Sequence, residues 1–157
     1  MTVSNPDLLI SVESVMHRRP ISVRRDETIQ DAVDRMTEHH LSALPVVDDG
    51  NYLTGILTIS DLLRVMQDAE RTLDSDLAIH DTTLVITDLI RATLGTDEVS
   101  NVSTDQAITV EQGTSMHEVA KLMIEHQVHH VPVTSSDRRL LGIISAVDFV
   151  RLAASGT

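Results

Sequence analysis

Gly55-Ile56-Leu57-Thr58-Ile59-Ser60-Asp61 recurs as Gly142-Ile143-Ile144-Ser145-Ala146-Val147-Asp148, an offset of 87 residues from Gly55 to Gly142. Working outward from this pair, the same offset places Pro45 on Pro132, Val46 on Val133 and Leu53 on Leu140. Upstream it aligns Val12 with Val99, Val15 with Val102, Ile21 with Ile108, Val23 with Val110, Met36 with Met123 and His39 with His126. Downstream it aligns Arg64 with Arg151. Identities held in one ungapped register over this length mark a duplication.

Each copy reads as strand, helix, strand, strand, helix. Ile21-Ser22-Val23 alternates apolar and polar, as a half-buried strand does. Thr28 with Asp31, and Ser115 with Glu118, have the spacing of a helix N-cap and its N3 partner. Ile29, Ala32, Val33 and Met36 then recur at helical spacing, as do Met116, Val119, Ala120 and Met123. Leu44 to Val47 and Val131 to Val133 are short apolar strands, each followed by turn residues and by a third strand, Leu53 to Leu57 or Leu140 to Ile144. Leu62, Leu63, Val65 and Met66, like Phe149, Val150 and Leu152, are expected to face inward from a second helix. The fold class is α+β. A repeat of about fifty residues buries too little apolar surface to stand alone, so the two β-α-β-β-α copies are expected to pack about a pseudo-twofold axis. The chain divides into a first repeat at 8–68, a linker and helix at 69–94 and a second repeat at 95–154. Gln67 to Asp81 is polar and reads as a connection, Thr82 to Leu94 as a helix and Gly95 as its cap.

Composition narrows the chemistry. Twelve Lys and Arg stand against 24 Asp and Glu, a net charge of −12, and aromatics are only 1%. Such a chain repels phosphate backbones and lacks stacking platforms, which argues against nucleic-acid binding. Cys is absent, which removes thiolate metal sites, disulfides and Cys nucleophiles. No leader-like pattern opens the chain and no apolar run reaches membrane-spanning length, so a cytoplasmic protein with no membrane partner is expected. His117-Glu118 begins like H-E-x-x-H, but Lys121 holds the second histidine position. Neither a nucleophile elbow nor a phosphate-cradling glycine loop is present, so no catalytic residue and no metal is assigned.

The hydrophobic–Pro–Val strand, turn and Gly–hydrophobic–hydrophobic–Thr/Ser–x–x–Asp pattern, present twice, resembles the cystathionine β-synthase (CBS) domain family. The lead-in Val15 to Val23 is also similar to that family, although the second copy has Ala107 where Pro20 stands. The resemblance implies a non-enzymatic regulatory module with two clefts between paired repeats, commonly a homodimer, that binds AMP, ADP or ATP, or S-adenosylmethionine, and signals to a client protein. It implies ribose binding by Asp61 and Asp148, with Thr58 and Ser145 near phosphate. It implies an adenine slot lined by Ile21, Val23, Leu44 and Pro45, and by Ile108, Val110, Val131 and Pro132. It also directs His129 and His130 toward ligand phosphates.

Plainer readings stand beside these. Thr58 with Asp61, and Ser145 with Asp148, have capping spacing as well. Arg64 and Arg151 suit either a phosphate or the aspartate one turn before them. His129 and His130, which match Ser42 and Ala43, fit an exposed strand entrance equally well. The rival to nucleotide sensing is a dimerisation or docking scaffold with degenerate clefts.

Overall fold

The computed structural model describes residues 6–70 and 82–155. Short 3-10 turns at Pro6–Leu9 and Val12–Ser14 lead into strands β1 (His17–Arg18) and β2 (Val23–Arg24), helix α1 (Ile29–His39), strands β3 (Ala43–Val47) and β4 (Leu53–Thr58), and helix α2 (Ile59–Glu70). Helices α3 (Thr82–Leu94) and α4 (Val99–Val102) follow, then β5 (Val110–Glu111), α5 (Met116–His126), β6 (His130–Thr134), β7 (Leu140–Ser145) and α6 (Ala146–Ser155). From β2 to β4 and from β5 to β7 every strand and helix boundary keeps the offset of the sequence repeat. The α+β class and the duplicated topology are as expected.

Local chemistry explains the matching helix starts. Thr28 accepts the Asp31 N–H while the Asp31 carboxylate accepts the Thr28 N–H, and Ser115 and Glu118 form the same reciprocal box. Both helices end on a left-handed residue, His40 or Gln127, whose N–H closes the last turn.

The chain forms two compact units. One comprises Ile21–Asp49 and Thr54–Gln106, the other Met1–Pro20, Gly50–Leu53 and Ala107–Thr157. Units in space and repeats in sequence are therefore different partitions, because the lead-in of each copy is housed with the other copy.

In the unit of the first repeat, strands lie in the order β2-β3-β4, with β2 parallel to β3. Ile56 of β4 exchanges two main-chain hydrogen bonds with Thr104 of the second lead-in, at 3.0 and 2.9 Å. Gly55 permits this approach, since a Cβ there would meet the Thr104 carbonyl oxygen at 2.5 Å. The core joins Val23, Ile29, Val33, Met36, Leu44, Val46, Leu57 and Leu62 to Ile90 and Leu94 of α3. The helix read at Thr82 to Leu94 is thus present and its last turns are buried. Gly95 donates its N–H to the Arg91 carbonyl at 3.0 Å and so closes that helix. Of the stretch read as a connection, residues 71–81 lie outside the described residues.

In the unit of the second repeat the sheet runs β1-β7-β6-β5, with β1 antiparallel to β7 and β5 parallel to β6. Its core gathers Val12, Met16, Val110, Met116, Val119, Met123, Val131, Val133 and Ile144. The second helices depart from expectation in part. Leu62 and Met66 are buried, but Leu63 is 38% exposed and Val150 66%, so these two face outward. The apolar stripe is wider than the strip that touches either core. Among the described residues no helix is long and apolar enough to cross a membrane.

Candidate functional site

Thr58 closes β4 and Asp61 lies in the first turn of α2, so the motif straddles a strand-to-helix junction. The Thr58 N–H and hydroxyl both donate to Asp61 Oδ2 at 2.8 Å, and the Asp61 N–H donates to Thr58 Oγ1 at 3.2 Å. One carboxylate oxygen is thereby fixed by the cap. The other, Oδ1, accepts from Arg64 at 2.7 Å and from the Thr104 hydroxyl at 3.3 Å. Asp61 is only 5% exposed.

The equivalent junction in the other unit repeats the cap and changes the rest. The Ser145 N–H and hydroxyl donate to Asp148 Oδ2 at 2.7 and 3.1 Å. Oδ1 accepts from Arg151 at 3.0 Å and lies 3.1 Å from His17 Nε2, and Arg151 Nη1 lies 3.3 Å from that same nitrogen. His130 pairs directly with Ser145 across β6 and β7. Burial pushes its pKa below the ordinary histidine range; the charge of His129 acts the same way and Asp148 opposes both. His129 is exposed beside it. One buried carboxylate thus stands beside Arg151 and His17, with His130 near enough to feel its charge, and its second oxygen is held at the start of the helix. Such an array can accept a hydroxyl at the carboxylate and offer an anion the Arg151 guanidinium and imidazole N–H donors.

The reciprocal cap is therefore present at Thr58–Asp61, its carboxylate half is present at Ser145–Asp148, and Arg64 and Arg151 pair with their aspartates. None of this excludes a ligand role, because a carboxylate has lone pairs for several donors. The residues expected in the adenine slot divide. Val23 and Leu44, at 1% and 0% exposure, belong to one core, and Val110 and Val131 to the other. Their side chains are committed to packing, which leaves main-chain atoms for any ligand. Pro45 and Pro132 are buried without joining those clusters, Ile108 is half-buried and Ile21 is exposed. The sequence reading did not find His17 and Thr104. They align with each other in the repeat, but each touches the aspartate of the other copy, a long-range pairing that no local pattern announces.

Comparison with known proteins supplies the context. The family model for the CBS domain matches residues 12–68 and 99–155. The CBS domain-containing protein CBSX1, chloroplastic, of Arabidopsis thaliana is 27% identical over 136 residues, which cover 83% of this chain and 58% of that protein. The chain thus spans little more than half of that relative. A crystal structure of CBSX2 in complex with AMP superposes with a TM-score of 0.70 at 25% identity, covering 92% of this chain and 96% of that one. Hypoxic response protein 1 of Mycobacterium tuberculosis is 29% identical over 143 residues, covering 91% of this chain and 85% of that protein. Its crystal structure, with two coordinated zinc ions, gives a TM-score of 0.67 at 27% identity over 90% of this chain and 98% of that one. Here, among the described residues, no group of three or more His, Cys, Asp or Glu side chains is arranged to hold a metal ion.

Proposed function

The chain belongs to the CBS domain family, and from that premise we propose that it is a regulatory module, without catalysis of its own, that binds an adenine nucleotide. The observation that carries the reading is the Asp148 cluster. Its carboxylate is oriented by Ser145 and contacted by His17 and Arg151, with His130 close enough to feel its charge and His129 next to His130 in the chain. Asp148 would accept the ribose hydroxyls and the cationic rim would meet the phosphates. CBSX2, a relative in fold and sequence, binds AMP, which supports the ligand class.

At Asp61 a specific observation favours the scaffold reading. Ser42 and Ala43 replace the histidines there, and Asp105 stands where the other lead-in has Arg18. The proposal is therefore one principal nucleotide site, in the unit of the second repeat. Binding regulates only through different affinities for two states of the module and its client. Exposed Leu63 on one unit, and exposed Val147 and Val150 on the other, are apolar side chains available to the homodimer that this reading includes.

A thermal-shift panel of AMP, ADP, ATP and S-adenosylmethionine tests the reading. A ligand at one hundred times its dissociation constant stabilises by about 2.7 kcal/mol. We expect a rise in midpoint with at least one nucleotide. No shift with any of the four at millimolar concentration would leave only the scaffold.

A further inference from the structure

The unit of the first repeat contains a recess that shares no residue with the Thr58–Asp61 junction. It has a volume of about 150 Å³ and is lined by Arg25, Val46, Thr54, Ser100, Ser103 and Asp105. The duplication shows what the other copy places at the same positions. At the equivalent positions the second repeat's unit carries Leu141 for Thr54 and Met16 for Ser103, and both pack into its apolar cluster. Glu13, which replaces Ser100, accepts the Gly113 N–H at 2.6 Å and is spent on the backbone. In the first repeat's unit the same positions are shortened to hydroxyl residues, and space opens between them.

Two charges border that space without meeting. Arg25 forms no ion pair among the described residues; Asp26, the carboxylate that feels it, is held by Arg24 at 2.8 Å. Asp105 has neither an ion pair nor a side-chain hydrogen bond among the described residues. Arg25 and Asp105, both exposed, line one cavity and form no ion pair with each other. Space of this size equals about five water volumes, enough for a molecule of about five to seven heavy atoms. An inorganic anion would satisfy Arg25 and face Asp105 unfavourably. A simple amine would do the reverse.

We propose that this recess binds a small zwitterion of the α-amino acid class, its carboxylate on Arg25 and its ammonium on Asp105, with Ser103 and Thr54 offering hydroxyls between them. The planar guanidinium is suited to grip a carboxylate at two points. The site uses none of the residues assigned to nucleotide binding, so the two readings succeed or fail separately.

The test is calorimetric titration of the full chain with L-alanine and L-serine, with L-lactate and ethanolamine as probes that lack the ammonium or the carboxylate. At least one amino acid should bind, and each single-charge probe should bind at least about tenfold more weakly. Arg25→Gln and Asp105→Asn should each weaken binding about tenfold or more, as expected for lost charged hydrogen bonds. The double change Thr54→Leu with Ser103→Met copies the filled second unit and should abolish binding with the fold intact by circular dichroism. Absence of binding by either amino acid at millimolar concentration overturns the proposal. So does lactate binding as tightly as alanine, or affinity that survives all three variants.

Discussion

Around Asp61 the groups beyond the cap are Arg64 and Thr104; around Asp148 they are Arg151, His17 and, across the paired strands, His130. The seven-residue motifs that end in these aspartates share Gly, Ile and Asp in register, and in both the hydroxyl residue donates its N–H and its hydroxyl to the aspartate. The differences in polar groups around them lie outside the motif, at the lead-in and at the two positions before the hydrophobic–Pro step. Duplication has preserved the frame, because strand pairing and capping are needed twice. It has released the rim, where only a ligand would impose a requirement. A motif match alone therefore says that two sites were built alike, and the rim is where they differ.

The largest expected effect separates frame from rim. Leu44 was expected in an adenine slot and is fully buried in the core. Leu44→Ala should cost about 2–5 kcal/mol of stability by chemical denaturation. Nucleotide affinity per folded molecule should be unchanged. A loss of affinity with stability intact would return Leu44 to the slot.

A smaller effect sharpens the difference between the rims. His17→Thr gives the Asp148 cluster the residue that its counterpart has in Thr104. It should weaken nucleotide binding about fivefold, the value of roughly one hydrogen bond. The mirror change Thr104→His should leave the Asp61 site weak, because the two neighbouring histidines are still missing. Equal effects of the two changes would mean that the sites are equivalent.

The smallest effect is one of pH. His130 has its folded-state pKa depressed by burial, so the native state resists its protonation. The stability tied to its neutral form is present above the ordinary histidine range and is lost as pH falls through that range toward the depressed value. The melting midpoint should fall more between pH 7.5 and 5.5 for wild type than for His130→Gln. Phosphate favours the protonated ring, so nucleotide affinity should rise over the same interval. A midpoint insensitive to His130 would place that ring in water.

Much of this was legible beforehand for a physical reason. The capping boxes and the amphipathic helices depend on residues three or four apart and the repeat on one constant offset, and a sequence displays both directly. Three things were not legible. Ala43 to Val47 is buried throughout, so alternation gives no phase, and nothing in the run shows that Leu44 rather than Pro45 enters the core. The placement of His17 on Asp148 spans 131 positions and depends on a lead-in strand pairing with the other copy's sheet. The outward turn of Leu63 and Val150 was missed because an apolar stripe shows amphipathicity without showing its edges.

The central claim is that two matching aspartates serve unequal sites. Calorimetric titration of the nucleotide selected by the thermal-shift panel into wild type, Asp148→Asn and Asp61→Asn tests it most directly. Asp148→Asn should weaken binding by about 1.5–3 kcal/mol, roughly tenfold to a hundredfold, while Asp61→Asn changes stability modestly and leaves the principal affinity in place. Equal losses in both variants, or a loss confined to Asp61→Asn, would contradict the account.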